Sequence, residues 1–170
     1  YFDERISEEF DRCKRYERQI FILMMDIDNF KLVNDTYGHD YGDYVLTAFT
    51  EILKSSIRKS DLLARYGGEE FIIAMFETDL EGAKLSAERI RQKVMIYDFS
   101  FKGVKIKRTL STGISCFPSP TDNGITIDKI IKEADQALYI AKKSGKNRWV
   151  YYHEIDTDNK NLLSFWNNIG

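Results

Sequence analysis

Ile20-Phe21-Ile22-Leu23-Met24-Met25, closed by Asp26, is as long a purely apolar run as the chain contains, matched only by Phe71 to Phe76. It is far too short to cross a bilayer or to act as the apolar region of a signal peptide. Its length and lack of alternation suit a central β-strand buried on both faces. Upstream, Phe2, Ile6, Phe10 and Cys13 recur at helical spacing between charges and predict an amphipathic helix. Downstream, a brief helix is expected around Phe30 to Asn34, then a loop through Tyr37, Gly38 and His39. A long helix follows from Asp40, with Val45, Phe49, Ile52, Leu53 and Ile57 on one face. Asp40 is the expected cap of that helix and Asp43 an acid of its first turn.

The next segment places two apolar strands, Leu62 to Tyr66 and Phe71 to Phe76, on either side of Gly67-Gly68-Glu69-Glu70. The pattern predicts a tight hairpin whose glycines take positive φ angles. Thr78 and Glu81 fit a capping box for a helix that turns Leu80, Ala83, Ala87, Ile90 and Val94 inward. A second hairpin around Lys102-Gly103 leads to a strand near Thr109 to Cys116. A helix over about Thr126 to Ser144 ends at Gly145, and Arg148 to Tyr152 forms a final strand. Strands and helices in this order give an α+β fold, with a mainly antiparallel central sheet flanked by helices.

A chain of 170 residues with 43% hydrophobic residues can bury a core without disulfide or metal staples. Cys13 and Cys116 match no metal-ligand spacing and read as reduced thiols, as expected in a cytoplasmic setting. Twenty-five basic against 27 acidic residues leave a net charge of −2, which argues against coating a nucleic acid polymer. An RNA-binding ferredoxin-like module would also need a basic face that this chain lacks. A balanced total still leaves room for a small phosphate ligand.

The acids carry the chemistry. Asp26 ends the most apolar strand, and Glu69-Glu70 lie at the tip of the first hairpin. If those strands are neighbours, three carboxylates converge at one sheet edge. Such a cluster calls for a cation, and hard oxygen donors favour Mg²⁺ or Mn²⁺. Wet hairpin tips are also acidic for no chemical reason, so the spacing alone leaves both readings open.

Three long blocks decide between them. Arg65-Tyr66-Gly67-Gly68-Glu69-Glu70-Phe71 resembles the signature of the GGDEF-family diguanylate cyclases, with Glu in place of Asp. Met25 to His39 resembles the family's first metal and nucleotide segment, and Ala134-Asp135-Gln136-Ala137-Leu138-Tyr139 through Asn147 its last helix and turn. The resemblance spans about residues 1–152, leaving 153–170 as a tail or the start of a connection. It implies a fold similar to the polymerase palm and nucleotidyl cyclases, on a ferredoxin-like core. The implied reaction condenses two GTP into cyclic di-GMP and two pyrophosphates, with two Mg²⁺ or Mn²⁺ ions per active site.

By the same resemblance, Asp26, the Ile27 carbonyl, Glu69 and Glu70 hold metal, and one glutamate, Glu69 by preference, helps to deprotonate the 3′-hydroxyl. Asn34 and Asp43 correspond to guanine-reading positions, and His39, between them in sequence, is expected to line the same substrate pocket. Lys31, Lys142 and Lys146 match triphosphate contacts, supported by the backbone near Asn29 and Phe30. Lys146 departs from the Arg of many relatives, so a point charge replaces a bidentate grip. Arg58 and Asp61 resemble the product-inhibition motif, with Arg89 in support. Catalysis in this family needs a second copy of the domain, and an upstream sensory or dimerisation domain is expected before Tyr1. The alternative function is a non-catalytic receptor for GTP or cyclic di-GMP.

Overall fold

The computed structural model describes residues 2–121 and 124–166. The run that ends in Asp26 forms β1 (Ile20–Ile27), and all eight of its residues are buried. It lies at the centre of a five-stranded sheet with β2 (Leu62–Gly67), β3 (Glu70–Phe76), β6 (Leu110–Phe117) and β7 (Trp149–Tyr151), in the order β2-β3-β1-β6-β7. Every neighbouring pair is antiparallel except β6–β7, which is parallel. A separate two-stranded ribbon pairs β4 (Phe99–Phe101) with β5 (Val104–Ile106).

Burial on two faces explains why β1 lacks alternation. Phe21, Leu23, Met25 and Ile27 enter one core with α3 (His39–Lys54) and α4 (Leu80–Ile96). Ile20, Ile22 and Met24 enter the other, with α1 (Phe2–Arg15) and α5 (Ile127–Lys143). Successive strand residues point to opposite faces, so Asp26 follows Met24 onto the α1/α5 side. Cys13 and Cys116 are both buried free thiols.

Several local expectations shift. Gly38 alone separates α2 (Phe30–Tyr37) from α3, turning the chain at φ +85° where a loop through His39 was expected. Asp40 therefore lies inside the first turn of α3 and does not cap it, and Asp43 lies one turn further on. Ile57 falls beyond the helix end but still packs on the core. The cap of α4 is Asp79, whose side chain accepts from the Gly82 amide at 2.7 Å, so no Thr78–Glu81 box forms. Neither Gly67 nor Gly68 takes a positive φ; the strand irregularity between Arg65 and Gly67 absorbs the turn geometry, and the Arg65 guanidinium closes it by donating to the Gly68 carbonyl at 2.8 Å. At the second hairpin, Lys102 and Gly103 do take the two successive positive φ angles of a tight turn.

Beyond β7 the chain continues through a short 3₁₀ turn, Tyr152–Glu154, into α6 (Thr157–Trp166). Ile155 and Leu163 bury against Ala137 and Ile140 of α5. Residues 167–170 of the expected tail lie outside the described residues.

The approach of α5 to β6 is set by Gly113. A Cβ there would lie 1.9 Å from the Ala134 carbonyl oxygen and 2.2 Å from the Leu138 amide nitrogen, both backbone atoms that cannot swing aside. Gly113→Ala is expected to lower stability by about 3 kcal/mol, because overpacking here displaces a whole helix. Urea denaturation should show a reduced midpoint with an unchanged slope.

Candidate active site

Pairing of β1 with β3 sets Asp26 directly opposite Glu70, and pairing with β6 sets it opposite Ser111. Directly opposed residues project to the same side, so Asp26 and Glu70 share the α1/α5 face. Asp26 is only 5% exposed, whereas Glu69 and Glu70 are half-buried at the hairpin. Burial pushes the Asp26 carboxyl up to about 6; Lys142 pulls it down, and Glu69 and Glu70 push it further up. Lys142, near the end of α5, donates to Asp26 Oδ2 at 2.6 Å. Asp135, a turn and more earlier on α5, is also held above the usual carboxylate range by burial and by Glu70, against the pull of Lys142.

One floor supports this edge. Asp28 is 2% exposed and accepts from Thr109 Oγ1 at 2.6 Å, Ser111 Oγ at 2.7 Å and the Asn147 amide at 3.0 Å. The turn it holds is unusual: Gly145, Lys146 and Asn147 all take positive φ angles in succession. Two of these are not glycine, a conformation that costs about 1 kcal/mol or more each. Arg91 of α4 adds a second grip, donating to Asn147 Oδ1 at 2.8 Å while it forks onto both oxygens of Glu88. That fork holds the Glu88 carboxyl down at about 2. The result aims Lys146 back across the site, where its ammonium donates to Asn29 Oδ1.

Asn29 has a left-handed backbone at φ 59° and makes no side-chain cap on α2. Its side-chain oxygen is taken by Lys146 and its backbone carbonyl by the Leu32 amide at 3.1 Å, which leaves the Phe30 and Lys31 amides of the first turn as the donors for an anion. Lys31 is exposed in that same turn. Asn34 is half-buried on α2 and Asp43 exposed on α3, and the two helices are packed so closely that Gly42, beside Asp43, touches the Asn34 side chain. His39 is exposed and borders a cavity of about 510 Å³ whose lining includes Tyr37, Tyr41 and Phe101 but neither Asn34 nor Asp43.

Arg58, Asp61 and Arg89 line a further cavity of about 310 Å³ together with Lys93 and Ser56. Asp61 is buried and spends its oxygens on the backbone amides of Arg58, at 2.9 Å, and Phe76, at 3.3 Å. The two residues are therefore not an exposed ion pair; the carboxylate shapes the turn, and the Arg58 guanidinium reaches the Glu77 carbonyl. Arg89 donates to the Ser56 carbonyl at 2.9 Å and Lys93 to Ser56 Oγ at 3.0 Å.

The donor set at the β1–β3 edge suits a hard divalent cation. Asp26 and Glu70 offer carboxylates on one face, Glu69 lies at the adjacent tip, and an ammonium already neutralises Asp26. Among the described residues, no three such side chains converge closely enough to make a finished metal cage. A ligand that brings its own oxygens, as a nucleotide triphosphate does, would complete one. Asp28, Asn147 and Arg91 are the supporting residues that sequence reading did not single out. The Ser and Thr at the start of β6 were the only hint of a buried acceptor nearby.

The chain matches the family described as "Diguanylate cyclase, GGDEF domain" over residues 1–148. Diguanylate cyclase A of Treponema denticola is 45% identical over 127 residues, covering 75% of this chain and 33% of that protein. Among solved structures, the active GGEEF domain of a diguanylate cyclase from Vibrio cholerae superposes with a TM-score of 0.80 at 37% identity, covering 88% of this chain and 92% of that one. The GGDEF domain of DgcB from Caulobacter crescentus, solved in complex with c-di-GMP, gives a TM-score of 0.85 at 26% identity, covering 90% and 89%. The chain spans about a fifth to two fifths of the length of the curated relatives it matches, from 21% to 39%. No helix among the described residues is long and apolar enough to cross a membrane. With the palm-like sheet and the acid-lined edge, these matches establish that the chain belongs to the diguanylate cyclase GGDEF-domain family.

Proposed function

We propose that this chain is the catalytic domain of a diguanylate cyclase, joining two GTP into cyclic di-GMP with release of two pyrophosphates. The observation that carries the reading is the register of β1 on β3, which sets Asp26 beside Glu70 under the counter-charge of Lys142. Names of relatives and neighbours support the same reaction.

Asp26, the Ile27 carbonyl, Glu69 and Glu70 would hold Mg²⁺ or Mn²⁺, two ions per active site. Bound there, the metal would supply charge withdrawal from the α-phosphate and a lowered pKa for the attacking hydroxyl. Lys31, Lys142 and Lys146, with the amides near Asn29 and Phe30, neutralise the triphosphate. Glu69 receives the proton from the 3′-hydroxyl of one GTP as its oxygen bonds to the α-phosphorus of the other. The bridging α–β bond breaks and pyrophosphate departs; a second, reciprocal transfer closes the ring. A single domain presents one GTP, so a second copy must face it. Bare glycines at the hairpin leave room for this approach: a Cβ at Gly68 would meet nothing within 4 Å.

Asn34 and Asp43 read guanine, since a carboxylate accepts from the N1 and N2 hydrogens that adenine lacks. Arg58 and Arg89, on the turn shaped by Asp61, bind the product and slow turnover. Guanidinium groups suit a ligand that offers both purine faces and phosphates.

Purified protein incubated with GTP and Mg²⁺ should yield one cyclic di-GMP and two pyrophosphates per two GTP on chromatography. Activity per protomer should fall on dilution, because the two domains meet by collision. Asp26→Asn or Glu70→Gln should lower turnover by about a hundredfold or more while leaving the fold intact. Binding of GTP with no cyclic di-GMP from a tethered dimer would instead favour the receptor reading.

Added cyclic di-GMP should inhibit the wild type, and Arg58→Ala should weaken that inhibition at least tenfold. Unchanged inhibition in the variant would remove Arg58 from the product site.

A further inference from the structure

Gly42 is buried at the end of the first turn of α3, where its amide donates to the Gly38 carbonyl at 3.3 Å, one residue before Asp43. Its backbone does not take a positive φ, so the conformation does not demand glycine. Glycine inside a helix costs about 1 kcal/mol relative to alanine. What the chain gains is space. A Cβ on Gly42 would lie 1.9 Å from Asn34 Oδ1, 3.0 Å from Asn34 Cγ and 3.2 Å from the Phe30 ring. The side-chain amide of Asn34 thus occupies the place where the Gly42 side chain would be.

The turn at Gly38 brings this about. The Gly38 amide closes α2 on the Asn34 carbonyl at 2.9 Å, and α3 starts at the next residue. The chain folds back so tightly that the amide of Asn34 reaches the bare backbone of α3 at Gly42, the residue before Asp43. We propose that Gly42 is a positioning residue for base specificity: it is the floor that seats Asn34 beside Asp43. This rests on the reading of Asn34 and Asp43 as guanine contacts.

The atoms in conflict decide what a substitution does. Asn34 Oδ1 is the end of a rotatable, half-buried side chain, not fixed backbone as at Gly113. Gly42→Ala therefore relieves its clash by swinging Asn34 out of place, while alanine favours the helix. Stability is retained and base reading is lost. A residue that mattered only for helix packing would show the reverse.

The test is calorimetric titration of the whole chain, in Mg²⁺, with non-hydrolysable analogues of GTP and ATP. Wild type, Asn34→Ala, Gly42→Ala and the double variant are compared, each checked by urea denaturation. Asn34→Ala and Gly42→Ala should each lose about tenfold in affinity for the guanine analogue, the loss expected for a missing hydrogen bond. Affinity for the adenine analogue should stay constant. The double variant should bind no more weakly than Asn34→Ala, because the floor has nothing left to seat. Full guanine preference in Gly42→Ala, alongside its loss in Asn34→Ala, would overturn the role of Gly42 and leave the guanine reading standing. Additive losses in the double variant, or destabilisation that accounts for the loss, would also overturn it. Undiminished preference in Asn34→Ala would overturn the guanine reading and this inference with it.

Discussion

A carboxylate at the end of a strand with no wet face sets the terms for the rest of the molecule. Asp26 continues a strand buried throughout, and its antiparallel partner places a second acid, Glu70, alongside. Removing one charge from water is costly, and a like charge in register adds to the cost. The structure offsets this with one cation, Lys142, delivered by a helix from the far end of the chain. Bringing that helix close enough requires Gly113, whose missing side chain lets α5 rest on β6 backbone to backbone. The fold is in this sense arranged around an unbalanced negative site.

A second acid plays the opposite part. Asp28 lies two residues on, as buried as Asp26, yet three donors satisfy it. It ties the end of β1 to the start of β6 and to the strained turn at Lys146 and Asn147. Two carboxylates on one strand end thus divide their roles by environment. Asp26, short of donors, is poised for a cation; Asp28, fully bonded, is scaffolding. The left-handed turn is tolerated because Asp28 and Arg91 both hold it, and what it achieves is the aim of Lys146 toward Asn29. Charges that nearly cancel in the whole chain therefore separate into acids at the β1–β3 edge and cations on the turn and helix that face it.

Much of this was legible in the sequence because periodicity reports burial. β1 showed as an unbroken apolar run, α5 as an apolar stripe ended by Gly145, and the acid at the end of β1 as a break in character. Motif resemblance then named the residues around it. What stayed hidden depends on distance and not on pattern. Thr78 and Asp79 are both good caps, and only the entry angle of the chain selects Asp79. Gly67 and Gly68 look like turn glycines, yet a strand irregularity carries the turn and leaves their φ angles ordinary. Gly42 and Gly113 lie inside a helix and a strand where glycine seems misplaced, and each is explained only by atoms of a neighbouring helix. Asp28 and Asn147 are 119 positions apart in the chain, and no local signal links them. Residues 157–166 looked polar and open-ended, but Leu163 finds a small apolar site on α5.

The central claim is that the edge shared by β1 and β3 is built to receive a divalent cation with a nucleotide. Its most direct test is a crystal structure of the chain with Mn²⁺ and a non-hydrolysable GTP analogue, with the metal located by anomalous scattering. The account predicts an anomalous peak between the carboxylates of Asp26 and Glu70, with Lys142 drawn from Asp26 toward phosphate. A peak away from both carboxylates, with the Lys142–Asp26 pair intact beneath bound nucleotide, would contradict it.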